Sequence, residues 1–234
     1  MAYAKRFDGR KFDEIRKMSA KVGVIKRANG SAMFTMGNTI AIAAVYGPRD
    51  VFPSFLQDNS KGILRCYYDM ISFSVTERKR PGPTRRSTEI SKVTEAALHP
   101  VLDLSKFPNT GFEIYINIIQ ADAGTRTAGI NAAALALADA GVPMKDLVCS
   151  VAVGDVGGKI CVDLTKEEED HKDGATDLPV AILPRSGEVT LLQMDGNMNQ
   201  KEIKEALEMA KKASKDIYKV QVKALKDKYK EKGK

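Results

Sequence analysis

The feature that most constrains the fold is a run of small residues between Ala128 and Ala140. Alanine is the strongest helix former, and side chains this small let a helix lie close against a sheet. The segment stops at Gly141-Val142-Pro143, which is a typical helix end. Shortly before it, Phe112–Ile118 alternates strictly between apolar and polar residues, as a half-buried strand does. Together the two segments predict a buried helix packed on a sheet.

The rest of the chain adds strands and two further helices to this pair. Turn signals such as Asn29-Gly30 and Gly37-Asn38 separate segments with strand character. The predicted strands cover residues 21–26, 31–36, 39–46, 64–74, 112–118, 147–153, 159–164, 178–183 and 189–194, and the predicted helices cover 86–98, 128–140 and 200–230. We therefore predict one α/β (α+β) domain over residues 1–234, with a polar lead-in over 1–20 and a long C-terminal helix with a basic tail over 200–232. Periodicity leaves the strand order open.

The charge of the chain is concentrated at one end. The formal net charge is +7, and Lys223–Lys234 alone contributes +4. Because most of the excess lies in one solvated tail, the overall charge is a weak argument for nucleic acid binding. No apolar run approaches the ~20 residues of a membrane span, and the N-terminus turns polar at once. These observations predict a soluble, cytoplasmic protein that does not bind membranes.

The three cysteines give no sign of a redox or metal framework. Cys66, Cys149 and Cys161 are scattered, and none belongs to a C-x-x-C pair. Each has apolar neighbours in the sequence, which favours a small buried side chain over a disulfide or a structural zinc ligand.

Gly124-Thr125-Arg126 stands where the alanine-rich helix should begin. The free amides and the positive dipole end of a helix start bind anions. Gly124 allows close approach, Thr125 offers a hydroxyl, and Arg126 offers a forked donor that suits phosphate. The tripeptide on its own is equally compatible with an ordinary threonine cap beside a surface arginine.

A second basic cluster precedes the helix predicted at 86–98. Arg78-Lys79-Arg80 and Arg85-Arg86 place five positive charges within nine residues, with no acid among them. Such a field can hold a polyanion, although a run of this kind also occurs as a plain solvated loop. Polar residues follow Arg86 at the helix start. We therefore expect its side chain to point toward the same ligand or surface as the N-terminus of this helix.

An acidic segment, Glu167–Asp177, precedes the apolar strand predicted at 178–183. Asp177 lies where the loop enters the sheet, so its carboxylate can bind Mg²⁺ or protonate a leaving oxygen. The spacing does not fit a calcium loop. The chain also lacks a P-loop, a G-x-G-x-x-G turn and a G-x-S-x-G elbow, which argues against Walker ATPases, Rossmann dehydrogenases and α/β-hydrolases.

In their order and spacing, these segments resemble the RNase PH family of phosphorolytic exoribonucleases and, within it, the catalytic ring subunits of archaeal exosomes. The matching segments span nearly the whole chain: Arg6-Phe7-Asp8-Gly9-Arg10, Arg85-Arg86-Ser87-Thr88-Glu89-Ile90-Ser91, Ala121-Asp122-Ala123-Gly124-Thr125-Arg126, Leu135-Ala136-Leu137-Ala138-Asp139-Ala140-Gly141 and Asp177-Leu178-Pro179. Each motif is weak alone, and the set is specific.

The resemblance implies a role for individual residues. Asp177 matches the catalytic aspartate of the family. Asp170 matches a second catalytic aspartate if one residue is inserted in the loop, with Asp173 as a rival, because His171 stands at the expected spacing. The two acids are also the implied Mg²⁺ ligands. The phosphate-binding residues implied are Gly124, Thr125, Arg126 and Arg86, and the RNA-binding residues implied are Arg85, Arg86, Arg65 and Arg80.

The resemblance also implies an assembly and a reaction. The fold would be of the ribosomal protein S5 domain 2-like class, in a hexameric ring alternating with a homologous inactive subunit and carrying RNA-binding cap proteins. The reaction would be 3′→5′ phosphorolysis of single-stranded RNA with inorganic phosphate as co-substrate and Mg²⁺ as helper, or its reverse. The alternatives are a homohexameric bacterial-type RNase PH that trims tRNA, a non-catalytic RNA-binding ring subunit and a hydrolytic nuclease.

Overall fold

The computed structural model describes residue 3 and residues 5–172 and 174–231, which form two β-sheets and four α-helices. The first sheet has the strand order β1-β2-β3-β5-β4 and the second the order β7-β6-β8-β9. The strands are β1 Met18–Val22, β2 Gly30–Met36, β3 Thr39–Asp50, β4 Ile63–Met70, β5 Thr110–Gln120, β6 Cys149–Val156, β7 Lys159–Val162, β8 Ala175–Ile182 and β9 Val189–Leu192. The helices are α1 Arg85–Leu98, α2 Thr125–Asp139, α3 Lys166–Glu169 and α4 Gln200–Glu231.

The first sheet is mixed and the second is antiparallel. β1, β2 and β3 form an antiparallel meander, and β5 pairs antiparallel with β3 and parallel with β4. A parallel pair needs a crossover connection, and α1 lies in the segment between β4 and β5. The predicted mixed α/β architecture with packed helices and a long C-terminal helix is confirmed.

The alanine-rich helix α2 lies between the two sheets, as its composition predicted. It packs on β2 and β3 from one side and on β6 from the other, and all its residues from Thr127 to Leu137 are buried. One continuous apolar core therefore contains side chains from both sheets. Gly30 marks the closest approach, because a Cβ there would lie 2.2 Å from the backbone nitrogen of Ala140.

The C-terminal helix α4 packs against the second sheet, against β1 of the first sheet and against α2. Its apolar stripe, which includes Ala210 and Ile217, is buried against β6, β1, β7 and β8. Gln221 is fully buried and donates to the carbonyl oxygen of Val148 at 3.1 Å. Farther along, the Lys228 ammonium pairs with Asp139 at the end of α2. These contacts explain why a helix so rich in lysine stays docked.

Several predicted segments differ from the structure in detail. The strand expected over 64–74 ends at Met70, and the helix expected over 128–140 covers Thr125–Asp139. The strand expected over 21–26 occupies Met18–Val22 instead, because Gly23, with φ of +74°, turns the chain out of the sheet. The acidic run contains the short helix α3, started by a capping box between Thr165 and Glu168. All three cysteines are buried and free, as predicted. Among the described residues, no helix combines the length and the apolar character that crossing a membrane requires.

We predict that Gly30→Ala destabilises the fold by more than about 2 kcal/mol, because the new methyl group would meet backbone atoms of Ala136 and Ala140 that cannot move aside. Chemical denaturation measures the change. Gly141→Ala is the control, because a Cβ at this position would meet open space and only the φ of +75° would strain the new residue. We expect it to lower the free energy of unfolding by about 1 kcal/mol. Equal effects of the two substitutions would contradict the close helix–sheet approach.

Candidate functional site

The candidate site forms around the first turn of α2. Gly124 caps the helix in the left-handed conformation, with φ of 61° and ψ of 26°. Among the described residues no side chain caps the helix start, and the first helical bond runs from the Ala128 amide to the Gly124 carbonyl. The amides that precede Ala128 therefore lie at an exposed positive dipole end, as an anion site requires.

Arg126 is held in place by two neighbouring elements. Its guanidinium donates to Oε1 of Gln193, just after β9, and lies 3.5 Å from Oε2 of Glu89 in the first turns of α1. Gln193 in turn donates to Oε1 of Glu89 at 3.0 Å. The Arg126 side chain is about four-fifths buried. This network fixes the guanidinium at the junction of α1, α2 and the second sheet, so Arg126 is not a free surface arginine.

Asp177 lies on β8, beside the first turn of α2. Its backbone pairs with that of Asp195, with the Asp177 amide donating to the Asp195 carbonyl at 2.9 Å. Burial raises the pKa of its carboxyl to about 6; the Asp195 carboxylate raises that pKa further, while the guanidinium groups of Arg126 and Arg86 lower it. Its Oδ1 atom is buried and has no hydrogen-bond partner in the part of the chain that the structure describes. A buried oxygen without a partner is costly unless a ligand supplies one.

Arg86 faces the same site, whereas Arg85 does not contact it. Both arginines begin α1, which is started by a capping box between Thr84 and Ser87. The charge of Arg86 lowers the pKa of Asp177 and also that of Glu169, so its guanidinium lies near both acids without forming an ion pair with either. Arg85 is exposed and forms no ion pair within residues 5–172 and 174–231. Arg85 is therefore available to an external anion.

The other two predicted RNA contacts lie apart from the acids. Arg80 is exposed on the loop before α1, and its neighbour Lys79 is already paired with Asp69. Arg65 lies on β4, where it lines a groove on the outer face of the first sheet. The structure thus brings together Gly124, Thr125, Arg126, Arg86 and Asp177, and it leaves Arg65 and Arg80 at a distance from this cluster.

Besides Asp195, the acid whose charge couples to Asp177 is Glu169 rather than Asp170. Burial raises the pKa of Glu169 to about 7, and the charge of Asp177 raises it further. Asp170 is mostly exposed and pairs with Lys166 at 2.7 Å, one turn back on the same side of α3. Asp173 lies outside the described residues. The structure therefore favours Glu169 for the role that the resemblance assigned to Asp170.

The capping box at the start of α3 is the local sequence feature that bears on Glu169. Thr165-Lys166-Glu167-Glu168 matches the capping-box pattern, which sets the rotation of the helix that follows. Glu168 then points inward, where Arg6 donates to its two oxygens at 2.8 and 2.7 Å and the Tyr3 hydroxyl donates at 2.8 Å. With Glu168 held in this way, the next residue turns toward Asp177. His171 is on the N-terminal side, where its ring lies 5.4 Å from that of Tyr3.

A buried ion pair connects the acidic loop to the helix start. Arg16 donates through Nε and Nη2 to the two carboxylate oxygens of Asp163, at 2.9 and 2.7 Å, and through Nη1 to the carbonyl oxygen of Asp122. Gly37 makes room for it, because a Cβ there would lie 2.4 Å from Cδ of Arg16. The turn at residues 122–124 and the loop that begins at Asp163 are thus held by one side chain.

The acids fit a partial magnesium site better than a complete one. No group of three or more histidine, cysteine, aspartate or glutamate side chains suited to a metal occurs within the described ranges. Mg²⁺ is commonly bound by only one or two carboxylates, with substrate phosphates and water completing its shell. Asp177, with its unpartnered buried oxygen, and Glu169 fit that arrangement, whereas the exposed, lysine-paired Asp170 does not.

Comparison with known proteins gives consistent matches over most of the chain. Family models described as 3′ exoribonuclease family, domain 1 and domain 2, match residues 14–143 and 146–213. The exosome complex component Rrp41 of Pyrococcus furiosus is 53% identical over 225 residues, which cover 96% of this chain and 89% of that protein. Rrp41 of Archaeoglobus fulgidus is 50% identical over 231 residues, with coverages of 97% and 89%.

Two solved structures share the fold at low sequence identity. Rice (Oryza sativa) Rrp46 superposes with a TM-score of 0.84 at 23% identity, covering 94% of this chain and all of that one. A chain of the Archaeoglobus fulgidus exosome with RNA bound to the active site superposes with a TM-score of 0.78 at 24% identity, with coverages of 92% and 91%. At these identities the likeness establishes the fold.

We predict that Asp177→Asn and Glu169→Gln each stabilise the chain at pH 8 but not at pH 4. Both pKa values, about 6 and about 7, lie above the ordinary 3.8 and 4.5. The folded chain therefore binds more protons than the unfolded one between these limits, and stability falls as the pH rises through them. Each substitution removes the buried charge that forms at high pH. We therefore expect each to raise the free energy of unfolding by about 1 kcal/mol above pH 7. Thermal unfolding at the two pH values measures it.

Asp170→Asn is the matched control for both substitutions, since this carboxylate is exposed and its pairing with Lys166 is solvated. Its effect on the melting temperature should be the same at pH 4 and pH 8. A gain at pH 8 as large as that of Glu169→Gln would show that the burial assigned to Glu169 is wrong.

Proposed function

Because the chain belongs to the 3′ exoribonuclease family, we propose that it is the catalytic RNase PH-type subunit of an archaeal exosome and shortens RNA from the 3′ end by phosphorolysis. The observation that carries this proposal is the cluster itself. An uncapped helix start and two arginines face a buried, unpartnered carboxylate oxygen of Asp177. A site with this charge arrangement can hold a small anion against a phosphodiester.

The proposed reaction joins two anions. Inorganic phosphate at the Gly124 turn attacks the phosphorus of the last phosphodiester; a new P–O bond forms, and the bond from that phosphorus to the 3′ oxygen breaks. The products are a nucleoside diphosphate and an RNA shortened by one nucleotide, whose 3′ oxygen takes up a proton. The guanidinium groups of Arg126 and Arg86 offset the repulsion between the reactants and the charge of the transition state.

Asp177 is suited to supply the proton to the leaving oxygen. Burial raises the pKa of its carboxyl to about 6, so a useful fraction of molecules carries the proton near neutral pH. Glu169, whose pKa of about 7 is raised in part by the charge of Asp177, can restore that proton. In the ionised state, the same two carboxylates would instead hold Mg²⁺ together with substrate oxygens; the metal would then supply positive charge at the reacting phosphate, and the proton for the leaving oxygen would come from water.

We propose that the chain works in a hexameric ring with a homologous, inactive RNase PH-like subunit and with RNA-binding cap proteins. The support is the sequence identity of 53% and 50% to two archaeal exosome components, each of which is covered over 89% of its length. Single-stranded RNA would reach the site past Arg85, whose exposed guanidinium has no acidic partner in the described residues, and past the loop that carries Arg80. The same site can run in reverse and extend RNA when diphosphates are abundant.

We predict that Asp177→Asn lowers the rate by about 10²–10³-fold and that Glu169→Gln lowers it far more than Asp170→Asn does. The rate is measured as release of diphosphates from poly(A), with and without phosphate, on the chain reconstituted with its ring partner. Circular dichroism checks that each variant is folded. Asp177→Asn with more than a tenth of the wild-type rate would contradict the assigned role, and monophosphates formed without phosphate would identify a hydrolytic nuclease instead.

We predict that Arg85→Ala weakens RNA binding at low salt and reduces the slope of log affinity against log salt by about one, because one phosphate contact is lost. Filter binding over a salt series measures both quantities. Arg27→Ala is the control, since Arg27 is also exposed but lies in the β1–β2 turn next to the opposite end of α2. If the two variants behave alike, Arg85 does not contact RNA.

A further inference from the structure

Tyrosine side chains form a continuous ladder on the outer face of the first sheet. Tyr67 of β4 and Tyr115 of β5 are direct partners in the parallel register, and their rings stack at a centroid distance of 4.9 Å and an interplanar angle of 16°. Tyr46 of β3 meets Tyr115 edge-on at 5.9 Å. Tyr67 and Tyr115 remain 43% and 38% exposed. The helices pack on the opposite face, so this aromatic surface has no role in the core.

Two arginines flank this tyrosine ladder. The guanidinium carbon of Arg49 lies 4.6 Å from the ring centroid of Tyr46, and Arg65 precedes Tyr67 by two residues and so shares its face. Neither arginine has a carboxylate within 4.0 Å in the described part of the chain. The acids nearby are already engaged: Tyr115 donates to Glu113 at 3.2 Å, and Asp69 is paired with Lys79. Glu113 keeps its negative charge, so this face carries Arg49 and Arg65 without ion-pair partners among the described residues and one carboxylate that accepts from a tyrosine hydroxyl.

A groove of about 540 Å³ lies between the tyrosine ladder and α1. Arg65, Tyr67 and Tyr115 line one side, and Ser87 and Thr88 of α1 line the other. Ser87 and Thr88 directly follow Arg85-Arg86, and Arg86 faces Asp177. A volume of this size accommodates a nucleotide-sized ligand.

We propose that the tyrosine ladder and this groove form a base-stacking subsite for single-stranded RNA, upstream of the 3′ nucleotide that reacts at Asp177. The proposal rests on the function proposed above. Exposed aromatic rings bind successive bases without sequence preference, and unpaired arginines bind the phosphates between them. The two unpaired arginines beside the exposed rings favour a polyanion, and Ser87 and Thr88, which line the groove, directly follow Arg85-Arg86 at the start of α1.

The test is a binding measurement that does not depend on turnover. Fluorescence anisotropy of a labelled oligoadenylate is followed with the full-length chain, in phosphate-free buffer with EDTA, so that no phosphorolysis occurs. We expect the double variant Tyr67→Ala/Tyr115→Ala to bind about tenfold more weakly than the wild type, since stacking is lost. Tyr67→Phe/Tyr115→Phe retains both rings and should bind like the wild type. Tyr229→Ala removes an equally exposed ring from α4 and should also have no effect.

A second oligonucleotide separates stacking from other causes. When the upstream nucleotides are abasic, the wild type should lose affinity and the alanine double variant should lose no more. The proposal would be overturned if the alanine double variant bound the intact oligonucleotide as tightly as the wild type does. It would also be overturned if the abasic oligonucleotide weakened the binding of the wild type and of the double variant by the same factor. A change of oligomeric state in light scattering, without a change in RNA affinity, would identify the face as a protein interface.

The outcome also distinguishes this inference from the proposed reaction. If the alanine double variant binds RNA weakly while Asp177→Asn retains normal diphosphate release, the stacking subsite stands and the assigned chemistry fails. If Asp177→Asn is inactive while the double variant binds like the wild type, the chemistry stands and the stacking subsite fails.

Discussion

The buried ion pair between Arg16 and Asp163 is the interaction on which the site depends. It lies between the turn that presents the helix amides and the loop that presents Glu169, and it is bidentate and almost fully shielded from water. Removing one partner of such a pair commonly costs about 3–5 kcal/mol, because the other charge is left buried. The polar lead-in therefore has a structural purpose: Arg6 and Arg16 hold the acidic loop from the N-terminal side.

Much of the fold follows from local patterns in the sequence. Strict alternation marks β5, and the alanine content of α2 requires a helix enclosed by other elements, because alanine offers too little apolar surface for one open face. The helix start at Gly124 and the entry of Asp177 into a strand are also local signals. The local capping-box pattern predicts only where α3 begins. Its orientation depends on the pairing of Glu168 with Arg6, which is 162 positions away, so the approach of Glu169 to Asp177 could not be predicted from the sequence alone.

The tyrosine ladder is a second feature that the sequence predicts only in part. Alternation along β5 indicates that Tyr115 faces away from the core, and the same holds for Tyr67 on β4. Their stacking depends on which strands are neighbours and in which register, and the crossover through α1 separates them by 48 positions in the chain. Strand order is set by the packing of the whole core, which periodicity does not describe.

The placement of α2 between the sheets has a further consequence for how the molecule can be divided. Arg126 comes from the half built on the first sheet, and Asp177 comes from the half built on the second. Cleavage of the connection near Gly141 would separate these two side chains and expose apolar residues that now pack between the halves. The two side chains therefore meet only while both halves stay packed on α2.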